Sequence, residues 1–139
     1  MPKEVFLGFD FGYKRIGVAV GQRLTCSATP LVTLQAKLGV PDWAAVQKLI
    51  NQWCPQALIV GVPTCIDGTE LYTTAAAKRF AKQLRKHSAL PVHLVDERLS
   101  TVEARGQLFE QGGYRKIKQT EIDCIAACVI LEQWLHHPE

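Results

Sequence analysis

Three acidic residues far apart in the sequence stand where carboxylates could do chemistry: Asp10, Glu97 and Asp123. Asp10 and Glu97 each close an apolar segment, and Asp123 precedes the apolar residues 124–128. An ionised carboxylate beside a buried segment costs free energy unless it pairs with a cation or binds a metal ion. Carboxylate oxygens are hard ligands that favour Mg²⁺ or Mn²⁺ over zinc. The three residues are therefore predicted to be metal ligands and catalytic residues.

The chemistry that such a site supports is hydrolysis of a phosphodiester bond. Two divalent ions roughly 3.5–4 Å apart can be bridged by carboxylates, so that one activates water and the other stabilises the leaving oxygen. The pattern is therefore typical of a metal-dependent nuclease. Whether one ion binds or two is left open.

Each acid also has a purely structural explanation. Asp10 could hold the turn at Gly12 through its side chain. Glu97 could form a surface ion pair with Arg98, which would contribute little. Asp123 could stabilise the start of a helix through the helix dipole.

Basic residues occur in two groups that could contact an anionic partner. Residues 78–86 hold five basic side chains and no acid, and a second group follows a glycine pair. The formal net charge is only +3, so the clustering is more informative than the sum. Nucleic-acid backbone contacts are predicted for Lys82, Arg85, Arg115, Lys116 and Lys118. The alternative is an ordinary solvated helix face.

The composition limits the class of protein. A chain of 139 residues predicts one domain, spanning 1–139. Five cysteines without a C-x-x-C pair do not indicate a zinc site or a disulfide framework. No signal peptide or membrane-length apolar segment is evident, which predicts a cytoplasmic protein without a membrane partner.

The periodicity of apolar residues predicts an α/β domain. Short β-branched runs joined by turns come first, and apolar strands alternating with amphipathic helices follow. This order implies a mixed five-stranded sheet, an antiparallel three-stranded meander extended by parallel strands, with helices on both faces. The predicted strands are 5–11, 16–20, 24–34, 57–62 and 91–95, and the predicted helices are 41–54, 71–87, 100–112 and 120–136.

Four segments that span nearly the whole chain resemble one family in order and spacing. They are residues 8–20 (GFDFGYKRIGVAV), 60–63 with 67–70, 95–101 with 103–104, and 123 with 126–127 and 130–131. Together they resemble the YqgF (RuvX) family of bacterial Holliday-junction-resolvase-like proteins, also named as pre-16S rRNA nucleases. The resemblance implies a ribonuclease H-like fold and a role in maturing the 5′ end of 16S ribosomal RNA. The implied partner is the ribosomal RNA precursor.

The resemblance also assigns residues. Asp10, Glu97 and Asp123 fall on the family's acidic positions, and Lys14, Arg15 and Arg98 fall on its basic ones. The basic positions are accordingly predicted to bind nucleic acid. Whether Asp67 or Asp96 joins the acidic cluster is left open, as are RNA against DNA and endo- against exonuclease action.

Three other functions remain open at this point. An ATPase of the actin and sugar-kinase type also begins with a strand, an Asp and a basic hairpin, but it needs two such domains. A non-catalytic nucleic-acid-binding module could act with the transcription or ribosome-assembly machinery. A true junction resolvase would need a dimer with two sites facing one junction, and the sequence leaves open monomer or homodimer and any ribosome association.

Overall fold

The computed structural model describes residues 4–62, 72–96 and 119–136. The predicted helix 100–112 lies outside these residues. None of the helices within them is long and apolar enough to span a membrane. The elements in chain order are β1 (Val5–Asp10), β2 (Arg15–Gln22), β3 (Ser27–Lys37), β4 (Val40–Pro41), α1 (Trp43–Trp53), β5 (Ala57–Val62), α2 (Tyr72–Ser88), β6 (Val92–Asp96) and α3 (Gln119–His136).

The strands form one mixed sheet in the order β4-β3-β2-β1-β5-β6. β1, β2 and β3 are an antiparallel meander, and β5 and β6 extend it in parallel from β1. The predicted combination of a meander with parallel strands is confirmed. The parallel strands need crossovers, and α2 supplies the one between β5 and β6.

The predicted number of five strands is wrong, because a sixth short strand follows β3. Leu38 and Gly39 both have positive φ, so the chain reverses and β4 pairs with the end of β3. Pro41 therefore lies in β4 and does not open the helix. Asp42 is the N-cap of α1, and its Oδ1 accepts a hydrogen bond of 3.0 Å from the Ala44 amide. A two-residue strand is too short to show alternation, so periodicity could not predict it.

Helices cover both faces of the sheet, as predicted. Alternate residues of β1 point to opposite faces, so Leu7 and Phe9 pack in the core under α1 and α2, while Phe6 packs in the core under α3. β5 is buried along its whole length, as expected for a strand covered on both faces. The predicted apolar stripe of α1 is confirmed as part of the core.

β6 is more exposed than predicted. It was expected to be a buried strand, but its residues are half-buried or exposed, and Leu94 is 49% exposed. Among the described strands β6 lies at the edge of the sheet and pairs only with β5. Edge placement depends on the order of strands in space, which the apolar sequence of the strand does not encode.

α3 lies unusually close to the sheet because the strands below it carry glycines. A Cβ atom added to Gly8 would lie 2.8 Å from the Cβ of Leu131. One added to Gly17 would overlap the carbonyl oxygen of Asp123. On the helix side, Ala126 and Ala127 are fully buried. Their small side chains let the helix pack close to the sheet. Small residues on both surfaces therefore set the distance between helix and sheet.

Gly17→Ala should destabilise the protein strongly. The new methyl group would collide with helix backbone, which cannot rotate away as a side chain can, so we expect a loss of at least about 3 kcal/mol. Urea denaturation followed by circular dichroism measures the change. Gln35→Ala, at an exposed position of β3, is the control and should stay within about 0.5 kcal/mol of the wild type. A Gly17→Ala protein as stable as this control would contradict the close contact.

Candidate active site

The carboxyl ends of β1, β5 and β6 lie side by side at one end of the sheet, which we call the carboxyl edge. Asp10 is the last residue of β1 and lies at this edge. Asp10 is half-buried and lies in register with Gly17 of β2 on one side and Gly61 of β5 on the other. Residues in register point to the same face of a sheet. The space above Gly17 is filled by α3, because a Cβ added to Gly17 would overlap the carbonyl oxygen of Asp123. Asp10 therefore lies directly beside the start of α3.

Asp123 approaches the same place from α3. The Cβ of Asp123 lies 3.0 Å from the position that a Cβ on Gly17 would take. Directly opposed residues such as Gly17 and Asp10 have Cβ positions about 4.5–5.5 Å apart. The Cβ atoms of Asp10 and Asp123 are therefore at most roughly 8.5 Å apart, close enough for both carboxylates to reach one metal ion. The structure thus brings together two of the three predicted acids, and Glu97 lies outside the described residues.

Arg15 is the direct ion-pair partner of Asp123. Its Nε donates a hydrogen bond of 3.1 Å to Oδ2 of Asp123, and the two side chains are 36% and 14% exposed. The predicted role of Arg15 was nucleic-acid binding. In the structure its guanidinium orients the Asp123 carboxylate and partly neutralises it.

A second contact holds the start of α3 on the sheet next to Asp123. Thr33 of β3 lies in register with Gly17, and its Oγ1 forms a 3.0 Å hydrogen bond with Sγ of Cys124. One turn further, burial raises the pKa of the Cys128 thiol to about 12, with smaller contributions from Glu132 and Cys124. The Cys128 thiol is therefore protonated at neutral pH.

Asp96 does not share the face of Asp10. Val95 lies in register with Gly61 and packs in the core under α3, so it marks the Asp10 face. Asp96 is the next residue, lies in register with Val62, and is exposed on the opposite side. Within the described strand, Asp96 therefore lies on the face away from Asp10. Asp67 lies outside the described residues.

The predicted basic residues divide into separate regions. Lys14 is exposed in the turn between β1 and β2, at the same edge as Asp10. Lys82 and Arg85 are exposed on α2, which packs on the opposite face and runs back toward the amino ends of the parallel strands. The structure therefore does not bring them near Asp10. Arg98, Arg115, Lys116 and Lys118 lie outside the described residues.

Lys37 was missed by the sequence analysis. It is the last residue of β3, it is exposed, and it alternates with Thr33 and Gln35 on the face that carries Asp10 and Arg15. The predicted strand ended at residue 34, whereas β3 continues to Lys37. The alternation of side chains along β3 is the sequence signal that places Lys37 on this face.

The donor chemistry of the edge fits a hard divalent ion. The described residues 4–62, 72–96 and 119–136 contain no group of three His, Cys, Asp or Glu side chains close enough to hold a metal. They do contain two carboxylate residues next to Gly17: Asp10 lies opposite it on β1, and Asp123 lies against it on α3. Oxygen ligands of this kind suit Mg²⁺ or Mn²⁺ and not a thiophilic ion.

Comparison with known protein families identifies the family of this chain. The family model described as "RuvX: Holliday junction resolvase" matches residues 4–137. The chain belongs to the RuvX family.

Relatives in this family match along their whole length. A protein of Legionella pneumophila (strain Lens) is 76% identical over 139 residues, covering 100% of both chains. A protein of Klebsiella pneumoniae (strain ATCC 700721) is 53% identical over 129 residues, covering 93% of this chain and 94% of its own. Both carry the name "Putative pre-16S rRNA nuclease".

Solved structures confirm the predicted ribonuclease H-like fold. Thermus thermophilus RuvC in complex with a Holliday junction matches with a TM-score of 0.56 and 17% identity, covering 96% of each chain. The fowlpox virus Holliday junction resolvase matches with a TM-score of 0.53 and 13% identity, covering 95% of this chain and 98% of its own. At these identities the likeness concerns the fold.

Arg15 and Asp123 should be energetically coupled. In a double-mutant cycle with Arg15→Gln and Asp123→Asn, we expect a coupling of about 0.5–1 kcal/mol, because the pair is partly shielded from water. Urea denaturation of the four proteins measures it. The Arg23–Glu4 pair, whose Nε–Oε2 distance is 2.7 Å but whose Glu is 48% exposed, is the matched control and should couple less. Additive effects at Arg15 and Asp123 would contradict the contact.

Proposed function

We propose that this chain is a divalent-metal-dependent nuclease that hydrolyses phosphodiester bonds in the 5′-end maturation of pre-16S rRNA. The convergence of Asp10 and Asp123 on Gly17, at the carboxyl edge of the parallel strands, is the observation that carries the proposal. Ligands of open α/β sheets favour this edge. The names of the relatives supply the substrate class.

Asp10 and Asp123 would hold Mg²⁺ or Mn²⁺ together with Glu97. Such an ion supplies activation of a water nucleophile and stabilisation of the leaving oxygen. The alternation of β6 supports Glu97 over Asp96, because Asp96 points to the face away from Asp10. Arg15 is proposed as a positioning residue that keeps one oxygen of Asp123 fixed.

Lys14 and Lys37 are proposed to hold phosphates of the substrate on either side of the acids. Both are exposed, and both lie at the edge that carries Asp10. Neither lysine forms an ion pair with another of the described residues, in contrast to Arg15, so each ammonium group can neutralise a phosphate. A cytoplasmic location agrees with this substrate and with the free thiols of the described cysteines.

A junction resolvase is the second candidate, supported by the description of the family model. It would use the same carboxylates, but the chain would have to present two sites to one junction. Cleavage of defined RNA, DNA and four-way-junction substrates of matched length separates the two functions. The proposal expects cleavage of the pre-16S 5′ leader in preference to the junction.

Asp10→Asn should abolish cleavage and leave the fold intact. Removing one carboxylate weakens metal binding, so we expect the rate on a pre-16S 5′-leader RNA with Mg²⁺ or Mn²⁺ to fall by at least about 100-fold. EDTA should have the same effect on the wild type. Circular dichroism and a thermal melt check that the variant is folded.

Asp96→Asn is the matched control for this experiment. It removes the same charge from the same edge but from the opposite face, so its cleavage rate should stay within about threefold of the wild type. Equal activity of Asp10→Asn and the wild type would refute the proposed site. A large loss of cleavage activity in Asp96→Asn would instead indicate that the metal binds on the opposite face of the sheet.

The salt dependence of RNA binding should identify which cations contact phosphate. Each phosphate contact adds about 0.7–0.9 to the slope of log K against log salt. Lys14→Gln with Lys37→Gln should flatten that slope by more than Lys82→Gln with Arg85→Gln, because only the first pair lies at the edge of Asp10. Fluorescence anisotropy at several salt concentrations measures it. A larger change of the slope in the Lys82→Gln, Arg85→Gln variant would indicate that the RNA binds across α2.

A further inference from the structure

The turn between β3 and β4 exposes a large apolar side chain beside the proposed site. We call residues 37–40 the hairpin tip. Leu38 has φ +52° and Gly39 has φ +82°, and Lys37 pairs with Val40, so the tip is a two-residue hairpin with both central residues in the left-handed region. The Leu38 side chain is 83% exposed.

Leucine is a poor residue for this position on local grounds. Two-residue turns of this type favour Asn-Gly or Asp-Gly, because a branched apolar side chain is strained at positive φ. Burial does not compensate, since the Leu38 side chain is in water. A single exposed leucine is ordinary at a protein surface. The strained backbone conformation of Leu38 is the feature that makes it a candidate for contact with a ligand.

The hairpin tip is tied to the chain that leaves Asp10. The Gly39 amide donates a hydrogen bond of 2.9 Å to the carbonyl of Tyr13, and Gly39 packs directly on the Phe11 ring. Tyr13 is three residues after Asp10, so its Cα is at most about 11 Å from that of Asp10. A nucleic acid bound at Asp10 therefore passes within a few base steps of Leu38.

The charge around the hairpin tip selects the class of partner. Residues 11–41 contain four basic side chains and no acid. Lys37 belongs to the tip itself, and Lys14 accepts the Ala36 amide at its carbonyl, which places the two lysines on neighbouring segments. An exposed leucine next to two cations suits a polyanion with apolar faces, which describes unpaired nucleobases on a phosphate backbone.

We propose that Leu38 packs against an unpaired base of the nucleic-acid substrate next to the cleaved bond, while Lys37 and Lys14 hold the adjoining phosphates. The inference rests on the proposed nuclease function, since it takes the substrate to lie at Asp10. It adds a preference for unpaired nucleotides on the hairpin-tip side of the site. The hairpin tip thus contributes to specificity and takes no part in the chemical step.

Leu38→Asn tests this proposal without weakening the turn. The change creates Asn-Gly, the sequence that the turn prefers, so the thermal midpoint should equal or exceed that of the wild type. Binding to a pre-16S 5′-leader RNA with unpaired bases should weaken about 5- to 10-fold, because the apolar contact is lost. Anisotropy with the full chain in Ca²⁺, checked on gels for absence of cleavage, gives the Kd.

Leu24→Asn is the matched control. Leu24 is 93% exposed in the turn between β2 and β3, at the opposite end of the sheet, so the same change there should leave the Kd within about twofold. A fully paired duplex of the same length is the control substrate, on which Leu38→Asn should bind like the wild type.

The outcomes separate this inference from the nuclease proposal. If Leu38→Asn binds unpaired RNA as well as Leu24→Asn does, the inference is wrong, and wild-type cleavage of the leader would still support the nuclease. An equal loss on the paired duplex would overturn the contact with unpaired bases. If binding depends on Leu38 but the wild type cleaves no substrate with Mg²⁺ or Mn²⁺, the contact surface stands and the nuclease proposal fails.

Discussion

The contact between the backbone of α3 and Gly17 determines the geometry of the whole edge. A helix can approach a sheet this closely only where the strand below it lacks a side chain, and Gly8 and Gly17 both meet that need. This close approach places Asp123 against Gly17, which lies in register with Asp10. It also brings Arg15 within 3.1 Å of the Asp123 carboxylate. A wider gap would leave these groups as separate surface charges.

Two carboxylates held together repel each other unless a cation lies between or beside them. Arg15 supplies one cation at the Asp123 end of this pair of acids. A hard divalent ion fits the oxygen donors of the two carboxylates. This electrostatic demand links the packing of α3 to the proposed chemistry.

The two faces of the sheet have different tasks. The face under α1 and α2 is filled by large side chains such as Phe9 and Phe80, which pack edge to face. The face under α3 carries glycines where the helix comes close to the strands, and the acids lie at the end of this face. Lys37 lies on that second face, whereas the basic residues of α2 lie beyond the first. The hairpin tip packs through Gly39 on Phe11, which belongs to the core under α1 and α2. Both faces have a buried core, and the site lies at the end of the one under α3.

The sequence by itself determined the elements whose residues repeat with a clear period, and it identified the acids through the segments that resemble the RuvX family. β5 and α1 were predictable because apolar spacing is a local property. The tertiary structure decided what depends on neighbours in space: the edge position of β6, the short β4, the pairing of Arg15 with Asp123, and the face to which Asp96 points. A residue's partner across 108 positions of chain is set by strand order and helix height above the sheet, and neither is written in local periodicity.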